Sequence, residues 1–263
     1  MKKISSNGFH CAGNGPTLLL LHGLFTDSRV WESLFSNLSQ NYFVLTLDLK
    51  WLNNSTHKNI DTIEEMAKEI CKVLQKTWIT ETVIVGHSIG GVLGLALAEK
   101  HPEVVKGLML FHSTALADCE QKHKEREFAI QSIKANGAKS FVRNFVQSQM
   151  FTEEFAGQSP EIVQKITDHA AMFTETGLTS ALKAMMCRAD RTPLLKELTC
   201  PVGFIAGEID KQIPLKNTLS ECYLPQISKL NILSDVGHAG MIERSAETLK
   251  MVKEFTQFCY EMV

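Results

Sequence analysis

The stretch Gly86-His87-Ser88-Ile89-Gly90-Gly91 most constrains how this chain can fold. Just before it, Thr82 to Val85 is β-branched throughout and reads as a short strand. Just after it, Gly91 to Glu99 reads as an Ala/Leu-rich buried helix that His101-Pro102 stops. A chain that turns from strand to helix within so few residues needs strained angles at the serine, with φ above zero. The residues two before and two after must lack side chains, because they pack against each other and against the sheet. Glycine stands at both places. The turn holds the Ser88 hydroxyl clear of the backbone and puts the Ile89 N–H at a helix start, facing any negative charge that develops there.

The rest of the chain sets this turn in an alternating pattern. Strand-length apolar runs occur at Thr17–Leu21, Tyr42–Leu47, Thr82–Val85, Val105–Phe111, Val202–Ala206 and Leu230–Leu233. Segments with helical period lie between them: Arg29–Leu38, Ile63–Leu74, Gly91–Glu99 and Ala246 to about Met262. Asp27 or Ser28 can cap the first, and Thr62 with Glu64 or Glu65 can box the second. Such alternation predicts a mostly parallel, twisted α/β sheet with helices on both faces. From about His112 to Leu198 the strands stop, and helices are expected near 120–135, 138–149, 160–173 and 176–187. The chain therefore divides into an α/β core, 1–112 and 196–263, and a helical cap, 113–195, inserted late in the sheet.

Composition narrows the function classes. With 27 Lys+Arg against 29 Asp+Glu, the net charge of -2 supplies no electrostatic reason for a nucleic acid or anionic membrane partner. The mixed run Gln121 to Glu127 reads as a solvated helix face. The apolar run Thr17–Leu21 ends at His22, short of the roughly 20 residues a membrane span needs, and Met1–Gly8 is too polar for a signal sequence. Seven widely spaced cysteines without a C-x-x-C read as reduced, mostly buried thiols in the cytoplasm, not as a disulfide framework or zinc site. The sequons at Asn53 and Asn54 then read as a polar turn. A small molecule is the expected partner, and a homodimer is compatible with these features.

A G-x-S-x-G between strand and helix is a nucleophile elbow, which makes Ser88 the candidate nucleophile. An activated serine needs a base, and the base needs an orienting acid. Chain order Ser, Asp/Glu, His places the base after the last strand, where His238 follows Gly237. His112, at the end of a core strand, is the main competitor; His57, His101, His123 and His169 read as surface residues, His10 lies before the first strand, and His87 belongs to the elbow. Past the strand Val202–Ala206 the acid is Asp210, with Glu208 as the alternative and Asp235 and Asp190 behind it. The second oxyanion donor is expected at the Leu24 N–H, after the strand end His22-Gly23, with Ile89 as the first. His22 reads as a structural hydrogen-bonder beneath that loop.

Together, Leu21-His22-Gly23, the elbow, Pro201 to Asp210 with Pro214, and Gly237-His238 with Glu243 identify a resemblance to the α/β-hydrolase superfamily, in its helically capped branch. The chain is similar to small serine carboxylesterases, enol-lactonases and carbon–carbon bond hydrolases. Two departures stand out. Leu49 to Asn54 replaces the usual glycine-containing loop, and Ala239-Gly240 stands where a proline commonly follows the histidine. The resemblance implies hydrolysis of a carboxylic ester, lactone or thioester through an acyl-enzyme, with no metal or organic cofactor required. A carbon–carbon bond hydrolase of dienoic keto acids and a non-catalytic ligand binder are the alternatives. The apolar cap residues Phe128, Ile130, Ile133, Phe141, Val142, Phe145, Met150, Phe151, Phe155, Met172, Phe173, Leu178, Leu182, Met185 and Met186 read mostly as packing between the cap helices and onto the core, with a subset, aromatic and Met side chains among them, expected to roof an apolar pocket. Lys134, Lys139 and Arg143 could reach a substrate anion, but they read first as solvated surface residues.

Overall fold

A computed structural model describes residues 9–49, 61–170 and 173–262. The N-terminal residues 1–8, Lys50 to Asn54 with the two sequons, His57 and Met172 lie outside the described residues.

Seven strands form one sheet: β1 (Phe9–Ala12), β2 (Thr17–Leu21), β3 (Phe43–Leu47), β4 (Thr82–His87), β5 (Val105–Phe111), β6 (Val202–Gly207) and β7 (Ser228–Leu233). Their order is β1-β3-β2-β4-β5-β6-β7. Only β1 runs antiparallel to its neighbour. Leu18 to Leu21 are fully buried, as a central parallel strand covered on both faces requires. The six predicted strands are all present. β1 was not visible in the sequence: it has four residues at the edge and only Cys11 is buried.

Helices α1 (Glu32–Leu38), α2 (Ile63–Lys76) and α3 (Ile89–Lys100) join the first strands. Thr62 caps α2 by accepting the Glu65 N–H at 3.2 Å, and the Glu65 carboxylate takes the Asp61 N–H in return. Ile63, Met66, Ala67, Ile70, Cys71 and Leu74 bury one face of α2. The helix expected from Arg29 opens instead as a 3-10 turn, Ser28–Trp31, with Asp27 accepting the Arg29 N–H.

Between β5 and β6 the described residues form helices and no strand: α4 (Glu120–Asn136), α5 (Ala138–Phe145), α6 (Glu153–Gln158), α7 (Pro160–Ala170), α8 (Glu175–Met186) and α9 (Thr192–Glu197). The helix expected over 138–149 stops at Phe145 and continues as a π-helical turn, Val146–Met150. Ile133, Val142 and Leu178 are fully buried among these helices. α10 (Leu215–Glu221), α11 (Gly240–Glu243) and α12 (Ser245–Glu261) complete the fold. The short helices α6, α9, α10 and α11 escaped the periodicity reading because one turn or two carries too few apolar repeats. No helix among the described residues is long and apolar enough to cross a membrane.

Register positions the chemistry. Leu21 pairs with Gly86, His87 with Phe111, and Phe111 with Ile205. The carboxyl ends of β2, β4, β5 and β6 therefore lie side by side, and the loops leaving them share one edge, where ligands bind in open parallel sheets.

Candidate active site

Ser88 stands between β4 and α3 with φ 53° and ψ -119°, the left-handed turn that its glycines predict. A Cβ on Gly86 would lie 2.4 Å from the backbone of Gly90, so neither the turn nor its close packing tolerates a side chain there. Ser88 N–H donates to Phe111 O at 3.0 Å, and the Ser113 hydroxyl donates to Ser88 O at 2.7 Å. The strained residue is thus tied to the end of β5 on both sides. Ile89 is the first residue of α3, where a backbone N–H has no partner within the helix.

His238 lies on the loop between β7 and α11, almost fully buried. Its Nδ1 is 2.8 Å from Asp210 Oδ2. The other carboxylate oxygen, Oδ1, accepts the N–H groups of Gln212 (2.7 Å) and Ile213 (3.0 Å). Burial works to raise the Asp210 carboxyl, but attraction to His238 and the bonds from His112 and His238 outweigh it. They leave the group well below the usual carboxylate range. Glu208, Asp235 and Asp190 are exposed, and of the four acid candidates Asp210 is the one bonded to His238.

Two further groups hold His238. Its N–H donates to Met150 O at 3.0 Å, at the end of the π-helical turn. Its carbonyl accepts from His87 Nε2 at 2.8 Å. Burial, then the neighbouring His238 and His112, push His87 well below the ordinary imidazole range, so it is neutral and donates through Nε2. Glu243 accepts the Gly237 and Ala239 N–H groups on Oε1 (3.1 and 3.4 Å) and the Thr152 N–H on Oε2 (3.1 Å). One carboxylate therefore clamps the His238 loop to the chain that follows Met150. Nothing in the sequence announced these three bonds.

The competing base, His112, is fully buried and bonds to Asp210 Oδ2 through Nδ1 at 3.1 Å. His112, Asp210 and His238 are the one grouping of metal-ligand types among the described residues, their N and O atoms within 4.8 Å. Those atoms are already joined to one another by hydrogen bonds. His22 sits beneath its loop as expected, with Nδ1 2.8 Å from Gly23 O and Nε2 accepting the Leu49 N–H at 2.9 Å.

Ser88, His238, Leu24 and Ile89 all line one cavity of about 400 Å³. Of the cap candidates, Phe128, Phe141, Phe145, Leu182 and Met185 reach it. The anion candidates do not: Lys134, Lys139 and Arg143 are exposed and outside the lining. Lys122 and Arg126 line it instead, which corrects the reading of Gln121 to Glu127 as wholly solvated. Lys122 pairs with Glu125 at 2.9 Å, and Arg126 pairs with buried Asp118, which Arg188 also engages.

Comparison with known proteins agrees with this fold. Residues 16–245 match the alpha/beta hydrolase fold family. The chain belongs to that family. Members it resembles include a pimeloyl-[acyl-carrier protein] methyl ester esterase of Aliivibrio fischeri, 24% identical over 92% of this chain and 94% of the relative. A 3-oxoadipate enol-lactonase of Acinetobacter baylyi is 25% identical, covering 87% of this chain and 84% of the relative. Among solved structures, a thermophilic esterase from Thermogutta terrifontis superposes with a TM-score of 0.89 at 23% identity, over 96% of this chain and 93% of that one.

Proposed function

We propose that this chain is an ester hydrolase that works through an acyl-enzyme on Ser88. The observation that carries the reading is a serine on a positive-φ turn opening into the same cavity as a histidine bonded to a buried carboxylate. His238 takes the Ser88 proton on Nε2 as Oγ attacks the carbonyl carbon. Asp210 keeps the other proton on Nδ1 and stabilises the imidazolium. The Leu24 and Ile89 N–H groups receive the oxyanion, each worth about 10²–10³ in rate. His238 then protonates the leaving alcohol, and water, deprotonated by the same imidazole, releases the acid.

In this reading residues 113–195 act as a cap over a core of 1–112 and 196–263. The substrate is a small ester, lactone or thioester with a partly apolar acyl group. The apolar underside of Phe141, Phe145, Leu182 and Met185 supports that choice. Lys122 and Arg126 are already engaged by Glu125 and Asp118, which favours a neutral acyl group over a dienoic keto acid. All seven cysteines are free, which supports a reducing compartment such as the cytoplasm; only Cys11, Cys71 and Cys259 are buried, so the expectation of mostly buried thiols is corrected.

The test is a fluorophosphonate probe and a series of p-nitrophenyl esters. Labelling at Ser88, with turnover lost in Ser88→Ala, is the expected result. A protein that neither labels nor turns over is a binder, and turnover of a coloured dienoate alone would move the assignment to carbon–carbon cleavage.

A further inference from the structure

His112 closes β5, and its backbone is held at φ 47°, a region that non-glycine residues rarely adopt. Its ring is completely enclosed. Nδ1 lies 3.1 Å from Asp210 Oδ2, the same oxygen that receives His238 Nδ1 at 2.8 Å. Nε2 lies 3.2 Å from the N–H of Gly240, two residues beyond His238. The backbone comes so close that a Cβ on Gly240 would sit 2.7 Å from His112 Nε2. The neighbouring residue, Ser113, bonds to the Ser88 carbonyl.

Donor and acceptor rules select one state of this ring. A proton on Nε2 would face the Gly240 N–H, donor against donor, and leave the Nδ1 lone pair against a carboxylate oxygen. A proton on Nδ1 satisfies both ends: Nδ1–H donates to Asp210, and Nε2 accepts from Gly240. That state mismatches one contact, the Gly207 N–H that faces Nδ1 at 3.2 Å, whereas a proton on Nε2 mismatches two, at Gly240 and at the charged Asp210 oxygen. Burial lowers the ring's proton affinity, so it stays neutral. The titratable groups facing it are Asp210, His238, Glu243 on α11 and His87 on β4.

We propose that His112 is a positioning residue of the triad, whose single imidazole holds Asp210 through Nδ1–H and the His238 loop through Nε2. It is a second histidine on the acid, not a second base. Asp210 then accepts four N–H groups, two on each oxygen, which is the capacity of a carboxylate. The ring fixes the direction of the acid and spreads part of its charge away from His238. This inference rests on the Ser88–Asp210–His238 reading of the site.

The test joins nitrogen NMR of the wild-type imidazoles with kinetics of two variants. The His112 proton is expected on Nδ1 at neutral pH. His112→Phe removes the donor, so kcat falls about 10- to 100-fold as the acid loses its orientation. Its less delocalised charge attracts the imidazolium more strongly, and the acid limb of kcat/KM moves to higher pH by about half to one unit. His112→Asn, whose amide N–H₂ reaches the place of Nδ1, keeps the acid limb where the wild type has it. A wild-type proton on Nε2, an unmoved limb in His112→Phe, or an equal shift in His112→Asn would each overturn the proposal. A wild type that neither labels nor turns over fails the ester-hydrolase reading instead, while the nitrogen spectrum still decides the bond to Asp210.

Discussion

Replacing Asp210 by Asn changes one oxygen for one nitrogen, yet the structure predicts a loss of about four orders of magnitude in kcat. Oδ1 accepts two backbone N–H groups, from Gln212 and Ile213, so the amide oxygen of Asn must take that side. Its N–H₂ then faces the two imidazoles that bonded to Oδ2. Each ring must turn a lone pair toward the amide and carry its proton on Nε2 instead. In the proposed mechanism, His238 in that tautomer presents a proton, not a base, to Ser88. A triad held in the wrong tautomer loses about 10⁴ in kcat, or about 5 kcal/mol of barrier lowering. The same change puts an Nε2–H of His112 against the Gly240 N–H, at a cost of about 1–3 kcal/mol for a buried donor without an acceptor. The sign with pH follows from the depressed Asp210 value. Such a carboxyl contributes its full stability above the unfolded value near ~4 and loses it as pH falls toward the folded one. Initial rates on a p-nitrophenyl ester and urea unfolding from pH 3 to 8 measure both effects. The stability gap between wild type and Asp210→Asn should be constant above about pH 5 and narrow progressively below about pH 4. An Asn variant within tenfold of wild-type kcat, folded to the same degree, would refute the tautomer argument.

Two further outcomes test the surroundings. Glu243→Ala strips three buried backbone N–H groups of their acceptor, on Gly237, Ala239 and Thr152, and should lower the unfolding free energy by about 3 kcal/mol, read from the urea midpoint. Phe145→Ala opens the apolar side of the 400 Å³ cavity and should move the preferred p-nitrophenyl ester to a longer acyl chain, by roughly tenfold in kcat/KM per step; an unchanged chain-length profile would take Phe145 out of the acyl site.

How much of this was legible in the sequence depends on the range of each signal. The elbow was readable because its requirement is local: a strand, a helix and glycines two residues either side of Ser88. Asp210 and His238 were reachable through chain order after strands that could be counted. His112 was read as a rival for the base because a strand end near the cleft is all the sequence shows. Its partner is 98 residues away, and the bond that defines its role depends on β5 and β6 lying side by side. The clamp by Glu243 joins three separate segments, so no spacing along the chain encodes it.

The cap illustrates the same limit. Apolar residues recur at helical spacing throughout it, but period alone cannot say whether a side chain meets another helix or the cavity. Ile133, Val142 and Leu178 went into the helix contacts, while Phe141, Phe145 and Leu182 reached the cavity wall. Lys134, Lys139 and Arg143 stay outside the cavity, as their solvated reading expected, whereas Lys122 and Arg126, from a run read as solvated, line it. The sequence by itself determined the strands, the strained serine turn and the order of the candidate triad, because backbone sterics and burial act within a few residues. The tertiary structure decided which histidines bond to Asp210 and through which ring atom. That choice is made by hydrogen-bond direction among groups that meet only when the parallel strands align their carboxyl ends.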